Sequence, residues 1–265
     1  MAADKGWALV TGASAGLGTE FGRQLARAGY DVVLVARRRD RLEALAEEVR
    51  TSGRKAVVIE ADLGAPDAAA TLIRDLDGRD IAPALLVNNA GIGLYGRAVE
   101  HDLDSVTALL RLNVVALTEL SLALGRRMGE RGSGAILNVS STASFQPDPW
   151  MAVYGASKAF VTSLSLALAQ ELAPRGVHVL AHCPGPTRTE FNDRADVHAA
   201  RDASWLYMTA EKCVRIALRG LRRRRRLVVT GWLNRFMAIV ARRSPLWAVA
   251  RVNAWMLAPA RKSGE

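Results

Sequence analysis

Residues 7–28 constrain this chain more than any other stretch. The apolar run Trp7-Ala8-Leu9-Val10 leads directly into Thr11-Gly12-Ala13-Ser14-Ala15-Gly16-Leu17-Gly18. A helical pattern follows, with Phe21, Leu25 and Ala28 on one face. Four consecutive apolar residues without alternation read as a strand buried on both faces, as in a parallel sheet. Strand, glycine turn and helix in that order are the setting of a dinucleotide-binding turn. Gly12 allows the tight turn, Gly16 lets backbone approach a pyrophosphate, and Gly18 lets the helix pack close to the strand. Free N–H groups at the helix start, around Ser14 and Leu17, would hold phosphate oxygens. The plainer reading of the same residues is an ordinary glycine-rich turn between a strand and a helix.

Strand and helix signals continue to alternate. Further strands are expected at 32–35, 56–60, 84–87, 135–139, 177–182 and 227–230. Helices are expected at about 40–51, ended by Gly53, and at 104–131, 152–174 and 209–221. Alternation of this kind gives an α/β fold: a single Rossmann-type, doubly wound parallel sheet of about seven strands flanked by helices. Residues 1–230 would form that dinucleotide-binding and catalytic domain. Residues 231–265 would form a helical extension packed on it, split by Pro245. Residues 187–208 have no steady period and read as a lid over the cleft.

Tyr154 and Lys158 stand at i and i+4 on the 152–174 helix, so both side chains share one face. An ammonium held beside a phenol favours the phenolate and is expected to lower the tyrosine pKa toward working pH. A phenol tuned in that way can exchange a proton with a carbonyl or alcohol oxygen.

Taken together, these residues resemble the short-chain dehydrogenase/reductase family. The resemblance rests on Gly12, Gly16 and Gly18, on Asn88-Asn89-Ala90-Gly91, and on Asn113 within Leu112-Asn113-Val114. It rests also on Ser140-Ser141 after a strand, Tyr154 with Lys158, and Pro184-Gly185, in the family's order and spacing over about residues 5–230. The resemblance implies reversible hydride transfer between a nicotinamide dinucleotide and a carbonyl/alcohol pair. It makes Tyr154 the proton donor, Ser141 a hydrogen-bond donor to the substrate oxygen, and Lys158 a partner of tyrosine and nicotinamide ribose. Asn113 would hold a water in a proton relay. Asp62 would bind the adenine amino group with Leu63 nearby, and Asn89, Ala90 and Gly91 would line the adenosine side. Pro184, Gly185, Thr187 and Thr189 would hold the nicotinamide end. Relatives are often dimers or tetramers, which implies a homo-oligomer.

The residues after the second strand bear on which dinucleotide is used. A site for NAD would place a carboxylate there, on the ribose hydroxyls. This chain has Ala36 followed by Arg37-Arg38-Arg39. Guanidinium groups favour a 2′-phosphate, so NADP(H) is the expected cofactor, with Arg37 the main contact and Arg38 or Ser14 assisting. Ala15 departs from this pattern, because many NADP-preferring relatives carry a basic residue at that position.

The formal net charge is +10, which admits anionic ligands or a membrane surface as partners. No nucleic-acid-binding motif accompanies it, so no nucleic-acid partner is expected. Two cysteines make no disulfide framework, and His101, His178, His182 and His198 form no metal or triad pattern, so no metal is expected. The start of the chain is short and polar, unlike a signal peptide, and a cytoplasmic location is expected. Phe145, Gln146, Trp150, Met151 and Gly93-Leu94-Tyr95 should border the cleft. They favour a small hydrophobic ketone, aldehyde or acyl substrate and its alcohol. Two other classes remain open: a sensor that binds NADP(H) without turnover, and a reductase of lipids touching the membrane through 231–265. In that segment Trp232, Trp247 and Trp255 lie among arginines, and each apolar stretch is too short to span a bilayer.

Overall fold

The computed structural model describes residues 5–188, 190 and 207–256. Seven strands form one sheet: β1 (Trp7–Thr11), β2 (Asp31–Ala36), β3 (Ala56–Glu60), β4 (Pro83–Asn88), β5 (Gly134–Val139), β6 (Val177–Cys183) and β7 (Leu227–Val229). Their order is β3-β2-β1-β4-β5-β6-β7, and every neighbouring pair is parallel. The chain reaches β3 at one edge and then returns to place β4 on the other side of β1. This reversal opens a crevice at the C-terminal ends of β1 and β4, where doubly wound sheets bind their ligands.

Helices cover both faces because the strands are apolar on both. Helices α1 (Gly16–Arg27) and α2 (Arg39–Thr51) bury Phe21, Leu25, Leu42 and Leu45 on one face. On the other, α3 (Ala68–Gly78) contributes Leu72 and Leu76. Helix α3 has no counterpart in the sequence reading, although Ala69, Leu72, Ile73 and Leu76 recur at helical spacing and pack on this face. Helix α1 stops at Arg27, so Ala28 is a half-buried cap and not part of the core face.

The helix expected at 104–131 is three segments: α4 (Leu103–Leu110), a π-helical turn at Arg111–Ala116, and α5 (Leu117–Glu130). The sequence reading runs one helix through this stretch, because the π turn leaves its composition unchanged. After β5 comes α6 (Ala152–Glu171), which ends three residues earlier than expected in a short 3-10 turn closed by Gly176 at φ 76. Helix α7 (Ala210–Arg222) returns to the first face with Val214, Ala217 and Leu218. Within the segment read as a lid, Thr187–Arg188 pairs with Met208–Thr209 as two short parallel strands. The rest of the lid, apart from Glu190 and Tyr207, lies outside the described residues.

Two helices follow β7: α8 (Trp232–Arg243) and α9 (Leu246–Met256), separated at Pro245. They pack against the loop between β5 and α6. Asn253 Nδ2 donates to the Pro147 carbonyl at 2.9 Å, and Trp150 Nε1 donates to the Ala254 carbonyl at 3.2 Å. Trp150 itself has φ 69, a conformation disfavoured for a bulky residue by about 1–2 kcal/mol. Its ring lies under the Arg97 guanidinium, 5.7 Å from the centroid.

Candidate active site

The glycine turn is fixed from the far side of the crevice. Thr11 Oγ1 accepts from the amides of Asn89 and Ala90, each at 3.0 Å, and Asn89 Nδ2 donates to the Thr11 carbonyl at 2.9 Å. Strand ends β1 and β4 are thereby clamped together. A Cβ on Gly12 would sit 2.8 Å from the Ala90 Cα, and one on Gly18 would sit 2.1 Å from the Gly12 carbonyl oxygen. Both contacts are with backbone, so neither position accepts a side chain. Gly12 and Gly16 also have positive φ, at 66 and 55. Helix α1 begins beyond Ala15 with no side-chain cap and no acidic residue in its first turn. An uncapped, carboxylate-free N-terminus at a switch point is suited to a pyrophosphate.

Tyr154 and Lys158 face the crevice from the first turns of α6. The lysine is buried, and its ammonium lies 5.8 Å from the tyrosine ring centroid. Lys158 Nζ donates to the Val139 carbonyl at the end of β5, at 2.9 Å. Gly91 leaves room there: a Cβ would lie 3.4 Å from Nζ and 3.1 Å from Asn113 Oδ1. Gly91 therefore borders Lys158 and Asn113.

The two serines after β5 divide their work. Ser140 is buried, and its hydroxyl donates to the Lys158 carbonyl at 2.8 Å while touching Thr162 Oγ1 at 2.7 Å. Ser141 is only half-buried; it accepts from the Ala143 amide at 3.1 Å and hydrogen-bonds the Tyr154 phenol. Ser141 is the hydroxyl available to a ligand beside the phenol.

Asn113 lies fully buried in the π turn. Its Oδ1 accepts from the Ile92 amide at 3.0 Å, and its Nδ2 donates to the Ile92 carbonyl at 2.9 Å and to Ser157 Oγ at 3.2 Å. The side chain thus clamps the β4 loop to the start of α6.

Burial overrides the tuning expected from the Tyr/Lys spacing. Desolvation pushes Tyr154 up to about 12, only partly opposed by the Ser141 hydrogen bond. Desolvation pushes Lys158 down to about 8. The reason is geometric. The ammonium donates to a carbonyl and faces the ring, and the hydroxyl has Ser141 as its partner. Near neutral pH the phenol is a proton donor, and the ammonium loses its proton first as pH rises.

Tyr154 sits in an apolar wall with Leu109 and Ala143, packed by Ile92, Leu94, Met151 and Val153. Leu94 and Met151 were expected at the cleft; Ile92 and Leu109 carried no signal beyond hydrophobicity. Phe145, also expected there, lines a separate groove formed by α7, β7 and α8. Asp148, likewise unread, is a buried carboxylate accepting from Gln146 Nε2 at 3.0 Å and Asn253 Nδ2 at 3.3 Å. Burial lifts its pKa to about 6.

Pro184 accepts from the Thr142 amide at 2.9 Å, and Thr187 Oγ1 donates to the Gly185 carbonyl at 2.9 Å. A Cβ on Gly185 would collide with Asn234 Nδ2 at 2.0 Å, so this glycine admits α8. Thr189 lies outside the described residues. His182 is buried and hydrogen-bonded to Thr230 Oγ1 at 2.8 Å, and desolvation holds its pKa down at about 3. Among the described residues no group of His, Cys, Asp and Glu is placed to hold a metal.

At the end of β2 the arginines separate. Arg38 reaches back to the glycine turn, with Nε 3.2 Å from Ser14 Oγ and Nη2 3.1 Å from the Ser14 carbonyl. It also holds Glu190 Oε2 at 3.0 Å, and Arg41 holds the other oxygen of the same carboxylate. Arg37 is more exposed, and the carboxylate it approaches among the described residues is Asp62, with Oδ2 at 3.9 Å. Asp62 Oδ1 accepts from the Gly64 amide at 2.9 Å, while Leu63 is buried at the strand end. Leu17 is half-buried and packs on the first-face core.

Fold and site together define a doubly wound dinucleotide-binding protein with a Tyr/Lys/Ser cluster at its switch point. Residues 6–199 match the family model for short chain dehydrogenase, and the chain belongs to that family. It is 35% identical over 182 residues to human 17-beta-hydroxysteroid dehydrogenase type 3, a match covering 67% of this chain. The chain spans only 58% of that relative's length. A short-chain dehydrogenase from Sphingobium yanoikuyae, solved in complex with NADPH, superposes with a TM-score of 0.80 at 34% identity, covering 98% of both chains. The bulky-bulky ketone specific alcohol dehydrogenase of Comamonas testosteroni does so with a TM-score of 0.77 at 30% identity, covering 99% of this chain and 97% of that one.

Proposed function

We propose that the chain is an NADP(H)-dependent oxidoreductase that interconverts a hydrophobic carbonyl compound and its alcohol. The observation that carries this reading is the convergence of Tyr154, Lys158 and Ser141 beside the glycine turn. Bound NADP(H) would supply or accept hydride. Tyr154 gives its proton to the substrate oxygen, and Ser141 donates a hydrogen bond to the same oxygen as charge develops. Lys158 would orient the ribose of the bound dinucleotide and return a proton to the phenol by way of it, since its ammonium has no direct contact with the hydroxyl. Asn113 would hold the water that connects Lys158 to solvent, as the family resemblance implies. A sensor without turnover has no use for this set.

Two features favour the phosphorylated dinucleotide: the absence of a carboxylate at Ala36, and Arg38 and Arg41 converging on one anion. The NADPH complex of the Sphingobium relative supports the same choice. A hydrophobic substrate is supported by the apolar wall around Tyr154 and by the steroid and bulky-ketone relatives. A homo-oligomer is supported by Leu103, Leu110, Val115 and Leu122, which are exposed on the helical stretch 103–130. The test is absorbance of NADPH and NADH during reduction of a panel of aromatic, steroid and acyl ketones. Turnover of no member with either cofactor would sink the proposal.

A further inference from the structure

Charge is unevenly distributed along this chain. Residues 212–264 hold 14 of the 36 Lys/Arg and none of the 26 Asp/Glu. That stretch carries a formal +14, while the remaining residues, with 22 basic and 26 acidic side chains, sum to −4. An acid-free segment of this kind gains no internal ion pairs from its arginines.

Its helices also pack inside out. Helix α8 buries the small residues Ala238 and Ala241 and exposes Trp232, Phe236, Met237, Ile239 and Val240. Trp232 is 82% exposed and Phe236 60%. Helix α9 buries Asn253 against the active-site loop and exposes Leu246, Trp247, Val252, Trp255 and Met256, with Trp255 at 83%. A water-facing helix ordinarily does the reverse.

Between α7 and α8 runs a groove of about 410 Å³ whose walls carry Arg219, Arg223, Arg225, Arg235 and Arg242. Among the described residues none of these five meets a carboxylate. Ile239 and Ala238 of α8 line the same groove, so the apolar face and the arginines are continuous. The other exposed apolar face, on 103–130, is different in kind. It mixes Asp104, Glu119 and Glu130 with Arg111, Arg126 and Arg127, which suits a second copy of a mixed-charge surface.

From this juxtaposition we infer that α8, α9 and the arginine groove dock on an anionic phospholipid surface. Trp232, Phe236, Trp247 and Trp255 enter the headgroup–acyl boundary, and the groove arginines meet lipid phosphates. Charge complementarity selects lipid over a second copy: two faces carrying these groove arginines, brought together, repel. Docking of this kind does not depend on the reaction proposed above.

The test is flotation of the full chain with phosphatidylcholine vesicles, with and without phosphatidylglycerol, at low and physiological salt. Binding is expected to anionic vesicles only, strongest at low salt. Trp232→Ser with Phe236→Ser should weaken it by about tenfold or more. Arg235→Gln with Arg242→Gln should weaken it by roughly fivefold per charge removed. Unchanged NADPH binding by each variant shows that it is folded. Absence of flotation with anionic vesicles at low salt overturns the inference, as does equal flotation of wild type and both variants. Light scattering showing that the Trp232/Phe236 variant dissociates an oligomer would instead assign this face to a second copy.

Discussion

At the catalytic end of the crevice Tyr154, Lys158 and Asn113 are buried, and each is tied to backbone or to a neighbouring hydroxyl. At the other end Arg37, Arg38 and Arg41 stand partly or largely in water and meet carboxylates. The buried groups have geometry that the sheet and α6 dictate, and the pKa values of Tyr154 and Lys158 answer to desolvation. The exposed side chains stand in water, where one anionic partner can be exchanged for another. Changes at the buried end should therefore act on the chemical step, and changes at the exposed end on cofactor choice.

Tyr154→Phe should show the largest effect. The ring and its apolar wall stay, and only the donated proton is lost, so turnover should fall by about 10²–10⁴-fold. NADPH affinity, followed by fluorescence titration, should barely move. A variant keeping more than roughly a tenth of wild-type kcat would mean that another group is the acid.

The pH dependence separates the two ends next. Tyr154, held up at about 12, stays protonated through the working range, whereas Lys158, held down at about 8, does not. Carbonyl reduction at saturating cofactor should be level below pH 8 and fall above it, by up to about tenfold per unit, as the reloading proton is lost. Alcohol oxidation should rise over the same range. A reduction profile level to pH 10 would remove Lys158 from the relay.

How much of this was legible beforehand follows the same division. The sheet, its order of elements and the turn at Gly12 to Gly18 were readable, because buried strands and close backbone contacts leave glycine and β-branched patterns. Ser141 was separable from Ser140 by family spacing, and the structure adds the reason: the Ser140 hydroxyl is spent on Lys158 and Thr162. The π turn at Asn113 was not readable, since it leaves composition unchanged. Nor was the direction of the Tyr154 shift, because spacing along a helix reports a neighbour and says nothing of how deeply both are buried. Asp148 was hidden for a similar reason: a proline-rich loop gives no sign that α9 will close over it. Nor was the divergence of Arg37 and Arg38 readable: adjacent residues at a strand end point in different directions, Arg38 toward the Ser14 turn and Arg37 toward Asp62.

That divergence predicts a ranking. Arg38→Ala should weaken NADPH by about tenfold or more while leaving NADH little changed, since a charge-assisted contact to phosphate is worth roughly 1.5–3 kcal/mol. Arg37→Ala, whose guanidinium reaches toward Asp62, should cost less. Dissociation constants for both cofactors on both variants decide it. Equal loss of NADPH and NADH on Arg38→Ala would make Arg38 a brace for the Ser14 turn and nothing more.

Glu190 supplies the smallest effect and the finest test. Its carboxylate bridges Arg38 and Arg41, the two guanidiniums proposed to meet the 2′-phosphate, and they hold its pKa below the usual carboxylate range. A phosphate entering there must displace Glu190 or share its partners. Glu190→Gln keeps the side chain's size and a hydrogen-bond acceptor but removes the competing charge. Half-exposed ion pairs of this sort are worth up to about 1 kcal/mol, so NADPH should bind on the order of twofold to fivefold more tightly. NADH, with no phosphate to place, should be unaffected, and raising the salt should erase the difference between wild type and variant. If Glu190→Gln instead weakens NADPH, the carboxylate orients the arginines for the phosphate and does not compete with it. The exposed end would then be as preorganised as the buried one.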